Sequence, residues 1–495
     1  MKRLTITIIF LAIQLLIGLL IFYDTLLLLL VALLPAVISF VYLQIVLTRK
    51  KETIDRSNRK SYTPFIFFGL MIVSQLSIPL ILIFYYSEPV GWIIYTIISS
   101  SAFTLSSLMT IFFIPLIYSR EFSQEKIKMK RTAIPNALMQ PVSIIVPAYN
   151  EERNIRAILN SLLEVDYQNR EVIVVDDGST DKTYSIATEY KRHFPKGRFS
   201  VIRKQNGGKS SALNYGIRFA IGDIIVIIDA DSVVERNTIK EVLREFQDSR
   251  VISIAGDCIV SNRVNFLSKC QALEYIISIN VFRRAFGVLG LVLIVPGPLG
   301  AFRRKAMIER GLYDQDTRTE DFDVTLKLLK TGGIVSEISS KSYTHVPTTF
   351  KDLYEQKTRW NQGAFQTLFK HKDIMSSAKH GLIRVFLYPI KLLSLLVLPL
   401  FDIVLIVFTV QALLTKDFVF PIIWFALFMY FYSLLAIVAI TSQKQKDWRL
   451  VLYIPFMSLV YRQFIDIIIV KSLFEILIQK YHNRSVSRKK LTLAL

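Results

Sequence analysis

Only two cysteines, Cys258 and Cys270, occur among 495 residues, so there is no disulfide framework and no CxxC pair to hold zinc. The five histidines, His193, His345, His371, His380 and His482, form no HExxH or comparable cluster, which removes the usual zinc-enzyme patterns. There is no Walker A loop: Asn206-Gly207-Gly208-Lys209 lacks its first glycine and its spacing. Acidic residues are few beside basic ones, 39 against 60, for a net charge of +21. Such an excess can signal nucleic acid, but here it sits beside hydrophobic spans. Cytoplasmic loops of membrane proteins carry that bias without any nucleic-acid partner.

Apolar sequence is what the chain has in abundance: 52% of it is hydrophobic, too much for an ordinary soluble enzyme. A spanning helix takes about 20 apolar residues. Residues 4–48 supply two, hinged near Asp24, and residues 63–86 and 90–118 supply a hairpin around Ser87-Glu88-Pro89. The stretches Arg49 to Lys60 and Arg120 to Arg131 are basic and read as cytoplasmic. The start Met1-Lys2-Arg3 with a long apolar run and no clear cleavage site favours an uncleaved anchor. Four transmembrane helices are therefore expected in 1–120, followed by a cytoplasmic block over 121–380. Segment 381–480 is expected to hold interface and transmembrane helices, with a hairpin over 391–414 and 418–440. Residues 450–478 are apolar but contain Arg462, Asp466 and Lys471, which suits either a span lining a pathway or an interfacial helix. Residues 481–495 form a basic tail, consistent with a cytoplasmic C-terminus.

Within the polar block the apolar runs Ser143–Val146, Val172–Val175 and Ile224–Ile228 have the look of parallel strands buried on both faces. After the first, Asn150 is placed to cap a helix, with Glu151 and Glu152 in its first turn. Ile155, Ile158, Leu159 and Leu162 form its apolar face. This βαβ pattern predicts a doubly wound α/β sheet with ligands at the carboxyl ends of its strands.

Charged motifs stand at those ends. Asp176 and Asp177, followed by Gly178-Ser179, can accept hydrogen bonds from a base N–H or a ribose hydroxyl, or simply close the strand in an Asx turn. Asp229 and Asp231 are two apart and expected to face the same way. Two such carboxylates repel unless a cation lies between them, so Mg2+ or Mn2+ with diphosphate oxygens suits the pair. Lys209 offers charge near a phosphate, or is a solvated turn lysine. Glu320-Asp321 stands among Asp314, Asp316 and Asp323, as a charged loop or as the seat of a general base, Asp321. Gln356, Arg359 and Trp360 share a helix face, with a guanidinium for the diphosphate and a flat ring for a sugar. A membrane-surface helix is the plainer reading of the same stretch.

The segments 141–152, 174–181, Asp229-Ala-Asp-Ser, Gly300-Ala-Phe-Arg-Arg304, Thr319-Glu-Asp321 and Gln356-Lys-Thr-Arg-Trp360 together resemble the family 2 glycosyltransferases. They are most similar to the membrane-integrated processive synthases of cellulose, chitin, hyaluronan and poly-N-acetylglucosamine. That resemblance implies a GT-A type catalytic domain inserted between transmembrane α-helical segments, with amphipathic interface helices over 270–296 and 350–378. It implies that Tyr149 and Asp177 contact uracil and that Asp176 lies near the ribose. Asp229 and Asp231 would hold UDP and the divalent cation, with Lys209, Gln356 and Arg359 completing the donor site. Asp321 would be the base, and Gly300, Phe302, Arg303, Glu320 and Trp360 would bind the acceptor. No counterpart of the cellulose synthase gating loop is found. Arg484-Ser-Val-Ser-Arg488 matches the opening of a cyclic-di-GMP-binding module but has too few residues after it, so such regulation would need a small accessory or regulatory membrane subunit.

The expectation is an inverting, processive hexosyltransferase of the plasma membrane. It would extend a β-linked polysaccharide from UDP-N-acetylglucosamine or UDP-glucose and pass the growing chain across the lipid bilayer. A non-processive enzyme transferring one sugar to a membrane lipid is the alternative; a catalytically silent scaffold would not need these carboxylates.

Overall fold

The computed structural model describes residues 140–492, except 196, 417–424, 426–428, 430–431, 434 and 444–445. The expected N-terminal helices and most of the 418–440 hairpin lie outside the described residues. The polar block is built on one eight-stranded sheet of order β3-β2-β1-β4-β7-β6-β8-β5. Its strands are β1 Val142–Ala148, β2 Arg170–Asp176, β3 Phe199–Arg203, β4 Ile224–Ile227, β5 Val233–Val234, β6 Val251–Val260, β7 Gly300–Arg303 and β8 Ile334–Thr344.

The three predicted strands are present as β1, β2 and β4, mutually parallel, with β3 added at the edge. Each of β1 and β4 is buried along its whole length, as expected of a central parallel strand. The other half departs from a doubly wound sheet. β7 is antiparallel to both β4 and β6, and β5 is antiparallel to β8, so the sheet is mixed.

One face is covered by the helices Ile155–Leu163 and Thr238–Glu245. Ile155, Ile158, Leu159 and Leu162 of the first, and Ile239, Val242 and Leu243 of the second, pack with Ile144, Val146, Val174 and Val226. The apolar face of the first helix is thus as predicted, but its start is not. The helix begins at Ile155, and Asn150 does not cap it. Asn150 instead holds a φ of 55°, donates its N–H to Ser179 Oγ at 3.0 Å and accepts from the Thr180 N–H at 2.9 Å. The neighbouring amides of Glu151 and Glu152 donate to Thr183 Oγ1 at 2.7 Å and Asp181 Oδ2 at 3.1 Å. The loop after β1 is therefore bonded to the loop after β2, which lines both up along the same edge.

Among the described residues two helices, Tyr388–Leu414 and Trp448–Ile478, are long and apolar enough to cross a membrane, with mean hydropathies of 2.6 and 1.4. The charges noted in the second have partners: Arg462 Nε lies 2.5 Å from Asp402 Oδ2, and its Nη1 donates to Tyr432 Oη at 3.0 Å. Pairing of this kind is how apolar helices carry ionised groups. The final helix, Arg462–Thr492, runs on through the basic tail.

Candidate active site

The carboxyl ends of β1, β2 and β4 carry three of the predicted motifs to one edge of the sheet. Tyr149 follows β1 with its ring half exposed. Asp176 is fully buried at the end of β2. It lies 3.2 Å from Arg203 Nε and accepts from the Ser179 N–H at 3.4 Å, the strand-closing turn that the sequence also allowed. Asp177 accepts from Lys204 Nζ at 2.5 Å and from the backbone N–H groups of Gly207 and Gly208 at 3.1 and 2.8 Å. It thereby holds the glycine loop that opens the helix Lys209–Phe219.

The Asp229–Asp231 pair is not on the strand. β4 ends at Ile227, and the Ser232 N–H donates to the Asp229 carbonyl at 3.0 Å, closing a turn over 229–232. The strand-alternation argument for their common direction therefore does not apply. The two carboxylates do feel one another. Burial first, then the Asp229 charge, raises the Asp231 carboxyl above its ordinary range. Burial, with Asp231 and Asp229 following, does the same to Glu151. Glu151 thus feels the charges of this pair, and it lies outside the helix, which begins at Ile155.

Lys209 Nζ lies 2.6 Å from Asp229 Oδ1 and 3.4 Å from Glu320 Oε1. The segment between helix and β7 closes over this pair. A Cβ on Gly297 would stand 2.5 Å from both Asp229 Oδ2 and Lys209 Nζ, so a larger residue would push these two side chains aside.

Glu320 and Asp321 occupy the first turn of the helix Glu320–Leu329. Asp321 accepts from the Phe322 N–H at 2.8 Å, and a helix N-terminus favours the ionised acid. Burial opposes that, the Glu320 charge adds to it, and the Asp321 carboxyl is pushed up to about 7 despite Lys209. A carboxyl titrating there is matched to proton abstraction near neutral pH.

Gln356, Arg359 and Trp360 lie on the helix Phe350–Lys370, as predicted. Gln356 Oε1 is buried without a hydrogen-bond partner among the described residues, and Arg359 is exposed. The Trp360 ring has Lys357 Nζ at 4.8 Å from its centroid, and Lys357 is itself paired with Glu274 at 2.7 Å.

The segment Gly300–Arg303, expected as a turn at the acceptor end, is strand β7. Gly300 pairs with Ile227 at the site edge, but the chain then runs away from it, and Arg303 pairs with Ile224 at the opposite end. Phe302 is 1% exposed and meets Tyr313 edge-on in the core. Arg303 donates to the carbonyls of Val251 at 2.7 Å and Phe246 at 2.6 Å. Phe302 and Arg303 therefore build the sheet, and their expected acceptor role is withdrawn.

The model of the Glycosyl transferase family 2 matches residues 143–311. Poly-beta-1,6-N-acetyl-D-glucosamine synthases of Staphylococcus aureus (strain COL) and Staphylococcus epidermidis are 29% identical over 243 and 244 residues, 49% of this chain. The match spans 58% of the length of those relatives. Among solved structures, a mannosyltransferase from Pyrobaculum calidifontis in complex with GDP-Man and Mn2+ superposes with a TM-score of 0.51 at 20% identity. The alignment covers 74% of this chain and 99% of that one, a likeness of fold. Residues 143–311 thus resemble the Glycosyl transferase family 2, and the chain is similar in sequence to the poly-N-acetylglucosamine synthases.

Proposed function

We propose that the protein is a membrane-integrated, processive, inverting glycosyltransferase that polymerises a β-linked polysaccharide from UDP-N-acetylglucosamine or UDP-glucose and passes it across the plasma membrane. The observation that carries the reading is Asp321. It is a carboxyl pushed up to about 7, one residue from Glu320, which shares Lys209 with Asp229. A base able to deprotonate a sugar hydroxyl is thereby set beside a cluster suited to a nucleotide diphosphate.

Asp321 takes the proton of the acceptor hydroxyl as that oxygen attacks the anomeric carbon from the face opposite the nucleotide. Tyr149, Asp176 and Asp177 orient the uridine, and Gln356, Arg359 and Lys209 offset charge on the departing diphosphate. Trp360, Glu320 and the Gly300 end of β7 seat the acceptor, so both reactants are held in line.

A divalent cation, Mg2+ or Mn2+, fits Asp229 and Asp231. The donors are hard oxygens, and burial together with the Asp229 charge raises the Asp231 carboxyl, a strain that a cation would relieve. When bound, it supplies positive charge against the leaving diphosphate. The catalytic block faces the cytoplasm in this reading, with the helices Tyr388–Leu414 and Trp448–Ile478 among several membrane spans. The names of the staphylococcal relatives support N-acetylglucosamine as the sugar.

The test is a panel of radiolabelled UDP- and GDP-sugars given to the purified full chain in lipid with Mg2+ or Mn2+. Turnover of one UDP-sugar supports the reading; turnover of GDP-sugars alone, or of none, sinks it.

A further inference from the structure

The helix that bears Asp321 is tied to the helix that bears Gln356, Arg359 and Trp360 by a buried ionic chain outside the reacting groups. Asp323, two residues beyond Asp321, points to the opposite side of its helix and is fully buried. Its Oδ1 lies 2.8 Å from His371 Nε2 and its Oδ2 3.1 Å from Lys370 Nζ, both at the far end of the Phe350–Lys370 helix. His371 Nδ1 in turn lies 3.1 Å from Lys330 Nζ, at the end of the Asp321 helix. Lys370 also reaches Asp314 at 2.6 Å and Asp316 at 2.7 Å, and Lys327 binds Asp314 at 2.9 Å.

The three acids Asp314, Asp316 and Asp323 have oxygens within 4.8 Å of one another. The Lys370 ammonium binds all three, so this cluster is a cation-filled joint rather than a metal seat. At the near end the residues leading into the Asp321 helix meet the other helix directly. Arg318 N–H donates to Gln366 Oε1 at 3.0 Å, and a Cβ on Gly363 would stand 2.6 Å from Thr319.

We infer that Asp323, Lys370 and His371 form a positioning latch that fixes the base Asp321 relative to the Gln356–Trp360 face, without touching substrate themselves. The inference rests on the proposed role of Asp321. Two-point attachment of this kind matters because the base must meet an acceptor hydroxyl seated by the other helix. Displacement of a reacting group by about 1 Å can cost a hundredfold in rate. A buried acid between a lysine and a histidine holds one arrangement well, since any other leaves charge unpaired.

The test compares Asp323→Asn, His371→Gln, the double variant and Lys370→Arg with Asp321→Asn in the purified full chain in lipid, by kcat, donor KM and UDP affinity. Folding of each is checked by gel filtration and thermal unfolding. Asp323→Asn should lower kcat about 10- to 100-fold while donor KM and UDP affinity stay near wild type. The double variant should fall no further than the worse single change, and Lys370→Arg should keep wild-type kcat. If Asp323→Asn does not fold, His371→Gln is judged by the same criteria. A folded Asp323→Asn or His371→Gln variant with wild-type kcat overturns the latch, and so does a kcat loss in either matched by lost UDP affinity, which marks general damage. If latch variants are wild type while Asp321→Asn is dead, the latch alone fails; if Asp321→Asn keeps turnover, the base assignment and the latch fall together.

Discussion

Lys209 Nζ lies 2.6 Å from Asp229 Oδ1, so the first residue of one helix neutralises the first acid of the turn after β4. Glu320 shares the same ammonium at 3.4 Å, which connects the cation to the neighbour of Asp321. Removing it with Lys209→Met should raise the donor KM by about tenfold, the loss of one charge-assisted contact. Because Lys209 also restrains the Asp321 carboxyl, the acid limb of the pH–rate profile should move to higher pH. A variant with unchanged KM and profile would place Lys209 outside the donor site.

The Asp321 carboxyl must be ionised to act as a base, so kcat/KM should rise with pH and level off above about 7. Asp321→Asn should cut turnover by about 10²- to 10⁴-fold and leave UDP binding near wild type. The effect on stability has the opposite sign. A carboxyl whose value is raised by folding favours the folded state below its ordinary value of 3.8, and that contribution is lost as pH rises through about 7. Thermal unfolding should therefore show Asp321→Asn more stabilising at pH 8 than at pH 5.

Chelation of divalent cations should abolish turnover, and Mg2+ or Mn2+ should restore it. Asp231→Asn should raise the cation concentration needed for half-maximal rate, because a neutral amide oxygen replaces one of two charged carboxylates. Full activity in excess chelator would remove the cation from the mechanism.

Arg303→Gln should lower folding stability by about 1–3 kcal/mol, the loss of hydrogen bonds from a charged donor to buried carbonyls. Donor KM and acceptor use should not change. A selective loss of acceptor binding in a stable Arg303 variant would restore the role withdrawn above.

The Ile- and Val-rich strands β1, β2 and β4 were legible because a strand buried on both faces has no polar alternation to confuse it. The acids at their ends were legible for the same reason. β6 and β8 were not: β8, Ile-Val-Ser-Glu-Ile-Ser-Ser-Lys-Ser-Tyr-Thr, carries seven polar residues against four apolar, and its pairing with β6 is long-range. Asn150-Glu151-Glu152 looks like a helix start locally, yet its amides are claimed by Ser179, Asp181 and Thr183, some thirty residues on. The Asp323–His371 contact spans 48 residues and leaves no local signature at either residue.

The most direct test of the central claim is the size of the product made by the purified full chain in lipid, from its preferred radiolabelled UDP-sugar, while most acceptor is still unextended. A high-molecular-weight product that glycosidase digestion identifies as a β-linked homopolymer is expected. A single sugar added to an extractable lipid would contradict processive polymerisation.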